Sequence, residues 1–468
     1  LKNTSVPATE AEPETGKAPA DRQRGLLLLG LSLGYFLVLL DTTVISVALP
    51  ALRDDLGGGM SGLQWVVSAY TIVFAGLLLT MGGLADRYGA KRLYLGGLAV
   101  FVAASALSAA APSLGALIGL RAALGAGGAA LLPASLALIA RAYADPAERT
   151  RALGVWAAVT GAALAAGPVA GGVLVDTLGW RSIFLLNVPL GLLSAGAVVR
   201  LAAETPRQAK RGFDWSGQAA AILAIGGLSY ALTEGGSAGW TSAPVLAAFG
   251  ASALAAAGFA AAEVRSRHPL LPPALLRIPT VSAGLAAGAI VNFAFSGLLF
   301  LLPLYFEQER GLSAHDSGLA LLPLTLQLAF NPVFTGRLAG RIGPRLPIAA
   351  GFLLAAAGTL LEAAASPRAP YAVTLIALLL VGSGIPLVLP PLTAAVLSAA
   401  PRQLGGTASG ALNSARQTGA TLGVAVLGSI AASGGDFAGG VRLALAVAGA
   451  LLIVGAAVSF ARIGRKRP

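Results

Sequence analysis

The chain has 468 residues, 56% hydrophobic and only 11% charged, with no cysteine, two histidines and a formal net charge of +12. A mean hydropathy of +0.79 and a charged fraction under half of the roughly 25% found in soluble domains exclude an ordinary globular protein. Disulfides and thiolate metal sites are excluded outright, and His268 and His315 are too few for a histidine-based metal centre.

The first 24 residues are polar and contain Pro and Glu without an apolar core, so a disordered cytoplasmic tail is expected, with no cleavable signal. Beyond them, apolar runs predict an all-α polytopic membrane protein. They lie at about 25–49, 62–83, 92–112, 114–140, 152–175, 181–201, 216–234, 243–262, 281–306, 315–335, 345–365, 370–396, 403–432 and 438–461. Assigning the loops alternately puts about 25 of the 32 Lys and Arg on one side and about five on the other. Arg121 and Arg416 are left embedded. That asymmetry supports fourteen transmembrane helices with both termini cytoplasmic, in the cell (inner) membrane. The positive charge is then a cytoplasmic collar on the lipid bilayer, and nucleic acid is not an expected partner.

Asp41 lies well inside the first run, in Leu39–Pro50. A carboxylate there costs several kcal/mol unless paired, hydrated or protonated, which makes it a functional candidate. Between the second and third runs stands Gly82-Gly-Leu-Ala-Asp86-Arg87-Tyr-Gly89-Ala-Lys-Arg92. Its glycines allow close helix approach, and Asp86 can meet a helix N-terminus or an arginine. Arg121, in the fourth run, needs a counter-charge or several carbonyls and waters. It belongs to the same half as Asp41, so the two can couple. In Gly167-Pro168-Val-Ala-Gly171-Gly172, proline removes a backbone donor while the glycines let a kinked helix pack tightly.

Asn187 and Pro189 suggest a satisfied kink in the sixth run, and Asp214 a cap on the seventh. The segment 268–279, with its prolines, is expected along the cytoplasmic interface. Further polar groups within spans, candidates for a substrate cavity, are Asn292, Gln327, Asn331, Asn413, Arg416 and Gln417. Glu362 is expected at an interface, and Glu307 and Glu309 solvated at an outer mouth.

The chain also repeats itself at an offset of about 254–257 residues. Gly82-x-Leu84-Ala85-Asp86-Arg87-x-Gly89 recurs as Gly336-x-Leu338-Ala339-Gly340-Arg341-x-Gly343, without the acid. Gly125, Gly127 and Pro133 recur as Gly382, Gly384 and Pro390. The expected organisation is a tail (1–24), a six-helix half (25–201), a linker with two extra helices (202–280), a second six-helix half (281–462) and a basic cytoplasmic tail (463–468). Two halves related by a parallel repeat are a transporter architecture with its site at their interface.

These motifs, together with Trp180–Gly191, Phe213–Gly217 and Asn413–Gln417, resemble the major facilitator superfamily and, within it, the fourteen-helix drug:proton antiporter branch. The resemblance implies proton coupling by Asp41 and Arg121. It implies a conformational latch at Gly82, Asp86, Arg87, Gly89 and Arg92, and a proton-tight antiporter hinge at Gly167, Pro168, Gly171 and Gly172. A proton-coupled antiporter exporting hydrophobic or cationic drugs by alternating access is expected, working as a monomer with no cofactor beyond the proton gradient. Alternatives are a dedicated exporter of an endogenous natural product or lipid, and a proton-coupled uptake carrier, which the hinge motif disfavours. No catalytic triad, metal-ligand cluster or phosphate loop points to an enzyme.

Overall fold

The computed structural model describes residues 17–205, 215–265, 271–401, 404–433 and 436–463. Among these residues the regular structure is helical throughout, and fourteen helices have twenty residues or more. The first half holds α1 (Lys17–Val44), α2 (Met60–Tyr88), α3 (Ala90–Ala109), α4 (Leu114–Ala142), α5 (Pro146–Leu178) and α6 (Arg181–Leu201). Between the halves stand α7 (Trp215–Ala238) and α8 (Ala243–Arg265). The second half holds α9 (Pro279–Arg310), α10 (Leu322–Ile342), α11 (Arg345–Ala364), α12 (Tyr371–Ala399), α13 (Gly405–Ala432) and α14 (Phe437–Arg462). They follow the fourteen apolar runs in order. Eleven are long and apolar enough over their described residues to cross a membrane. The other three are α7, α10 and α13, the helices that carry Gln218 and Glu234, Gln327 and Asn331, and Arg416 and Gln417. Large side chains such as Leu192, Leu193 and Leu254 stay more than 60% exposed, an outer surface suited to lipid rather than water.

Local chemistry shapes the first span. Pro50 has no N–H to give and its ring crowds the preceding turn. The chain accordingly tightens into a 3-10 turn over Ile45–Ala48 before a short helix, Leu49–Leu56. Hydroxyls bond back to carbonyls of the turns before it: Thr42 to Val38 at 2.8 Å and Ser46 to Thr43 at 2.7 Å. This break begins four residues after Asp41.

The halves meet along two seams. α2 packs on α13, and α5 packs on α10 and on the short helix Ala314–Ala320 that precedes it. α7 lies across the first seam, touching both α2 and α13, while α8 packs on α7. Gln218 joins α7 to α2 by accepting from the Thr80 hydroxyl and donating to the Gly76 carbonyl. Toward the other end of α7, Glu234 accepts from the Ser61 hydroxyl at 2.5 Å and the Trp65 indole at 3.0 Å.

Three expectations change here. Segment 268–279 includes a helical turn, Pro273–Leu276, with Leu275 fully buried, so part of it packs inward. Glu362 is buried at 5% exposure and accepts from Thr374 at 3.2 Å instead of sitting at an interface. Glu307 is half-buried rather than solvated, because Ala314–Ala320 folds back beside the end of α9. The proposed Asp214 cap, residues 1–16 and residues 464–468 lie outside the described residues.

Candidate functional site

Asp41 on α1 and Arg121 on α4 form an ion pair, each 1% exposed. The sequence left their contact open, and the fold makes it. Arg121 is held from two further sides, both from α2. Its Nε donates to the Val66 carbonyl at 2.9 Å, and its guanidinium lies 4.7 Å from the centre of the Tyr70 ring. The Tyr70 hydroxyl in turn donates to the Val38 carbonyl at 3.3 Å, three residues before Asp41. Three helices of one half therefore fix a neutral pair in an apolar surround, where a lone charge would be strongly disfavoured. Sequence reasoning missed Tyr70; its signal was an aromatic with a polar tip inside a span.

The glycine-rich motif of α5 packs against the break in α1. A Cβ on Gly167 would lie 2.8 Å from the Thr43 Cβ, and one on Gly171 would lie 2.6 Å from a Val47 methyl and 3.0 Å from the Val44 carbonyl. On another face of α5, a Cβ on Gly172 would lie 2.6 Å from the Ala314 carbonyl of the second half. His315 adds a backbone N–H to Asp176 at 2.8 Å. Pro168 sits inside the continuous helix α5. The α2–α13 seam closes the same end. The Gln64 amide donates to the Val424 and Ala425 carbonyls at 3.1 and 3.0 Å, and Thr421 donates to Thr71 at 2.8 Å. Farther along, Ser414 donates to the Ala75 carbonyl at 3.1 Å. Toward the end that carries the α2–α3 and α10–α11 loops, Gly82, Gly154, Gly340 and Gly405 face open space. The cross-half hydrogen bonds and close glycine contacts gather toward one end of the molecule, the end that carries the α1–α2 and α5–α6 turns.

The loop motif 82–92 is braced by the segment that follows α6. Gly89 has φ +99°, a conformation that favours glycine between α2 and α3. Glu204 caps α3, accepting from the backbone of Lys91 at 2.9 Å and Arg92 at 3.2 Å, with the Arg92 side chain 3.9 Å away. Arg87 is exposed and lies 5.4 Å from the Tyr88 ring centre. The Asp86 side chain lies outside the described residues. In the α5–α6 turn, Trp180 and Arg181 both donate to Asp55, at 2.9 and 2.6 Å.

The cavity candidates separate into two groups. Asn331 donates to Gln327 on its own helix at 2.8 Å, while Gln327 accepts from Ser383 at 2.6 Å and donates to the Leu379 carbonyl at 3.0 Å, tying α10 to α12. Asn413 closes on its own helix at the Ser409 carbonyl, 3.1 Å away. Asn292 is nearly buried on α9. Arg416 and Gln417 are half-buried on α13, with Arg416 in electrostatic reach of Tyr35 of the first half. An apolar cavity of about 520 Å³ between α10 and α12, lined by Gly340, Pro390 and Pro391 among others, lies apart from these groups.

The profile of the Major Facilitator Superfamily matches residues 31–424. The methylenomycin A resistance protein of Streptomyces coelicolor is 34% identical over 97% of this chain and 96% of its own length. The multidrug resistance protein Stp of Mycobacterium tuberculosis is 37% identical over 88% of this chain and 77% of its own. The tetracenomycin C resistance and export protein of Streptomyces glaucescens is 35% identical over 91% and 80%. Among solved structures, a bacterial homologue of the human lysosomal transporter Spinster aligns with a TM-score of 0.65 at 18% identity, over 94% of this chain and 97% of that one. The human organic anion transporter MFSD10 aligns at 0.64, also at 18% identity, over 94% and 99%. This chain is a membrane transporter, not an enzyme, and it belongs to the Major Facilitator Superfamily.

Proposed function

We propose that this protein exports small, antibiotic-like molecules from the cytoplasm in exchange for protons, with Asp41 as the proton-carrying group and Arg121 as its partner. The observation that carries the reading is the buried, neutral Asp41–Arg121 pair between α1 and α4. A carboxyl in that position can hold a proton or a paired charge, but an unpaired charge is costly. Protonation from outside frees Arg121, and release toward the cytoplasm restores the pair. The basic collar assigns the end away from the Gln64, Thr421 and Gly172 contacts to the cytoplasm, so those contacts close the outer side and cargo enters from inside.

Alternating access then requires the Gln64, Thr421 and Gly172 contacts to part while the cytoplasmic ends close. The 82–92 loop, braced by Glu204, is placed to meet the second half when that happens, and the Gly167–Gly172 stretch is the hinge. The relatives' names, which record resistance to or export of antibiotics, favour such molecules as cargo. The reading needs no cofactor and no second copy of the chain.

The test is transport into inside-out proteoliposomes across a panel of labelled antibiotics, with and without an imposed pH gradient. Gradient-dependent accumulation by wild type and its loss in Asp41→Asn are expected. Accumulation by Asp41→Asn at the wild-type rate overturns the assignment of Asp41, and uptake in the opposite direction overturns export.

A further inference from the structure

Three side chains that the proton-coupling reading leaves without a role come from both halves. Tyr35 of α1 and Trp156 of α5 stack with ring centres 5.1 Å apart and planes 12° apart, both half-buried. Arg416 of α13, in the other half, lies within electrostatic reach of Tyr35. Its stem rests on α9, where a Cβ on Gly288 would lie 3.1 Å from the Arg416 Cγ. Two donors in this group have no partner among the described residues: the Trp156 indole nitrogen and the Arg416 Nε, both shielded from solvent. No carboxylate pairs with Arg416 among the described residues either. Asp41, farther along α1, is committed to Arg121.

The charges in this region decide the sign of the cargo. Asp41 and Arg121 cancel, and Arg416 adds a positive charge near Tyr35. A guanidinium in a poorly hydrated place is stabilised by an oxyanion that it can grip with two parallel N–H bonds. An organic cation meets like-charge repulsion there, in a low dielectric that strengthens it. The stacked indole and phenol offer a flat apolar face for a ring.

We infer that the space between the halves binds a planar aromatic organic anion, its ring against Tyr35 and Trp156 and its anionic oxygens on Arg416 and the Trp156 indole N–H. The inference rests on the export reading and names its cargo, an anion where the sequence led to an expectation of hydrophobic or cationic drugs. An anion leaving against an entering proton moves both charges in the direction favoured by an inside-negative potential, so such a potential accelerates this exchange.

The test compares three probes built on one ring: 1-naphthalenesulfonate, permanently anionic; trimethyl(1-naphthylmethyl)ammonium, permanently cationic; and neutral 1-naphthalenemethanol. Binding to the purified full chain in nanodiscs is read by tryptophan fluorescence. Wild type is expected to bind the sulfonate at least about tenfold tighter than the ammonium compound, the scale of one charge-assisted contact. Arg416→Gln should erase that ratio and Arg416→Lys should keep most of it. Trp156→Phe, which retains a ring but loses the N–H, should weaken the sulfonate alone. Equal or tighter binding of the cation, a ratio unchanged in Arg416→Gln, or binding of neither charged probe overturns the inference. The antibiotic accumulation assay above keeps the two readings apart. If gradient-driven export persists while the sulfonate is not preferred, only the cargo assignment fails.

Discussion

At the scale of single residues, the account turns on Asp41 and its restraints. Arg121→Leu leaves a carboxylate buried without its partner, and loss of one member of such a pair costs about 3–5 kcal/mol. A lower melting temperature in nanodiscs is the expected result, and adding Asp41→Asn to Arg121→Leu should recover most of it. Tyr70→Phe keeps the ring under the guanidinium but deletes one hydroxyl bond, a loss of about 1 kcal/mol in melting measurements. Asp41 and Arg121 were legible in the sequence because ionisable groups stand out in apolar runs. Tyr70, Tyr35 and Trp156 were not, because an aromatic residue in a span is ordinary until the fold shows which polar group its ring or N–H meets. Gln327 and Asn331 were legible as polar, yet sequence could not tell that Ser383 and a carbonyl on α12 already occupy Gln327, and Gln327 in turn Asn331.

Individual helices show what periodicity conveys and what it omits. Hydropathy located all fourteen long helices, and the Pro50 rule explains the 3-10 turn that follows Asp41. The packing partner of that turn was beyond reach, since it depends on α5 meeting α1 from 120 residues away. Gly172 provides the element-scale prediction. In Gly172→Ala the added methyl meets the Ala314 carbonyl, 2.6 Å from the unshifted backbone, so the closed end must loosen. The chain has no cysteine, so a single cysteine placed at the buried Val424 can report on it. An impermeant maleimide added from outside should label that cysteine severalfold faster in Gly172→Ala than in the parent; equal rates would mean that Gly172 does not hold this end shut. The inserted pair was read as an insertion without a location. Its polar groups pin α7 to α2 near both ends, so Glu234→Ala should lower the melting point by the equivalent of ~1 kcal/mol.

For the whole molecule, two halves joined by contacts gathered at one end describe a carrier with that end closed. The repeat at about 254–257 residues made the two halves legible, while the state could be read only from contacts such as Gln64 on α13. Exchange demands that cargo export and proton entry be two sides of one cycle, which makes proton movement the most direct observable. Inside-out proteoliposomes loaded with pyranine and held at equal pH on both sides should report a pH change when a transported antibiotic is added outside. The exchange reading predicts acidification of the medium and alkalinisation of the lumen, as protons leave while cargo enters. In Asp41→Asn that signal should vanish although the protein remains folded. A lumenal signal of wild-type size in Asp41→Asn, or none in a wild type that still accumulates the antibiotic, would contradict it.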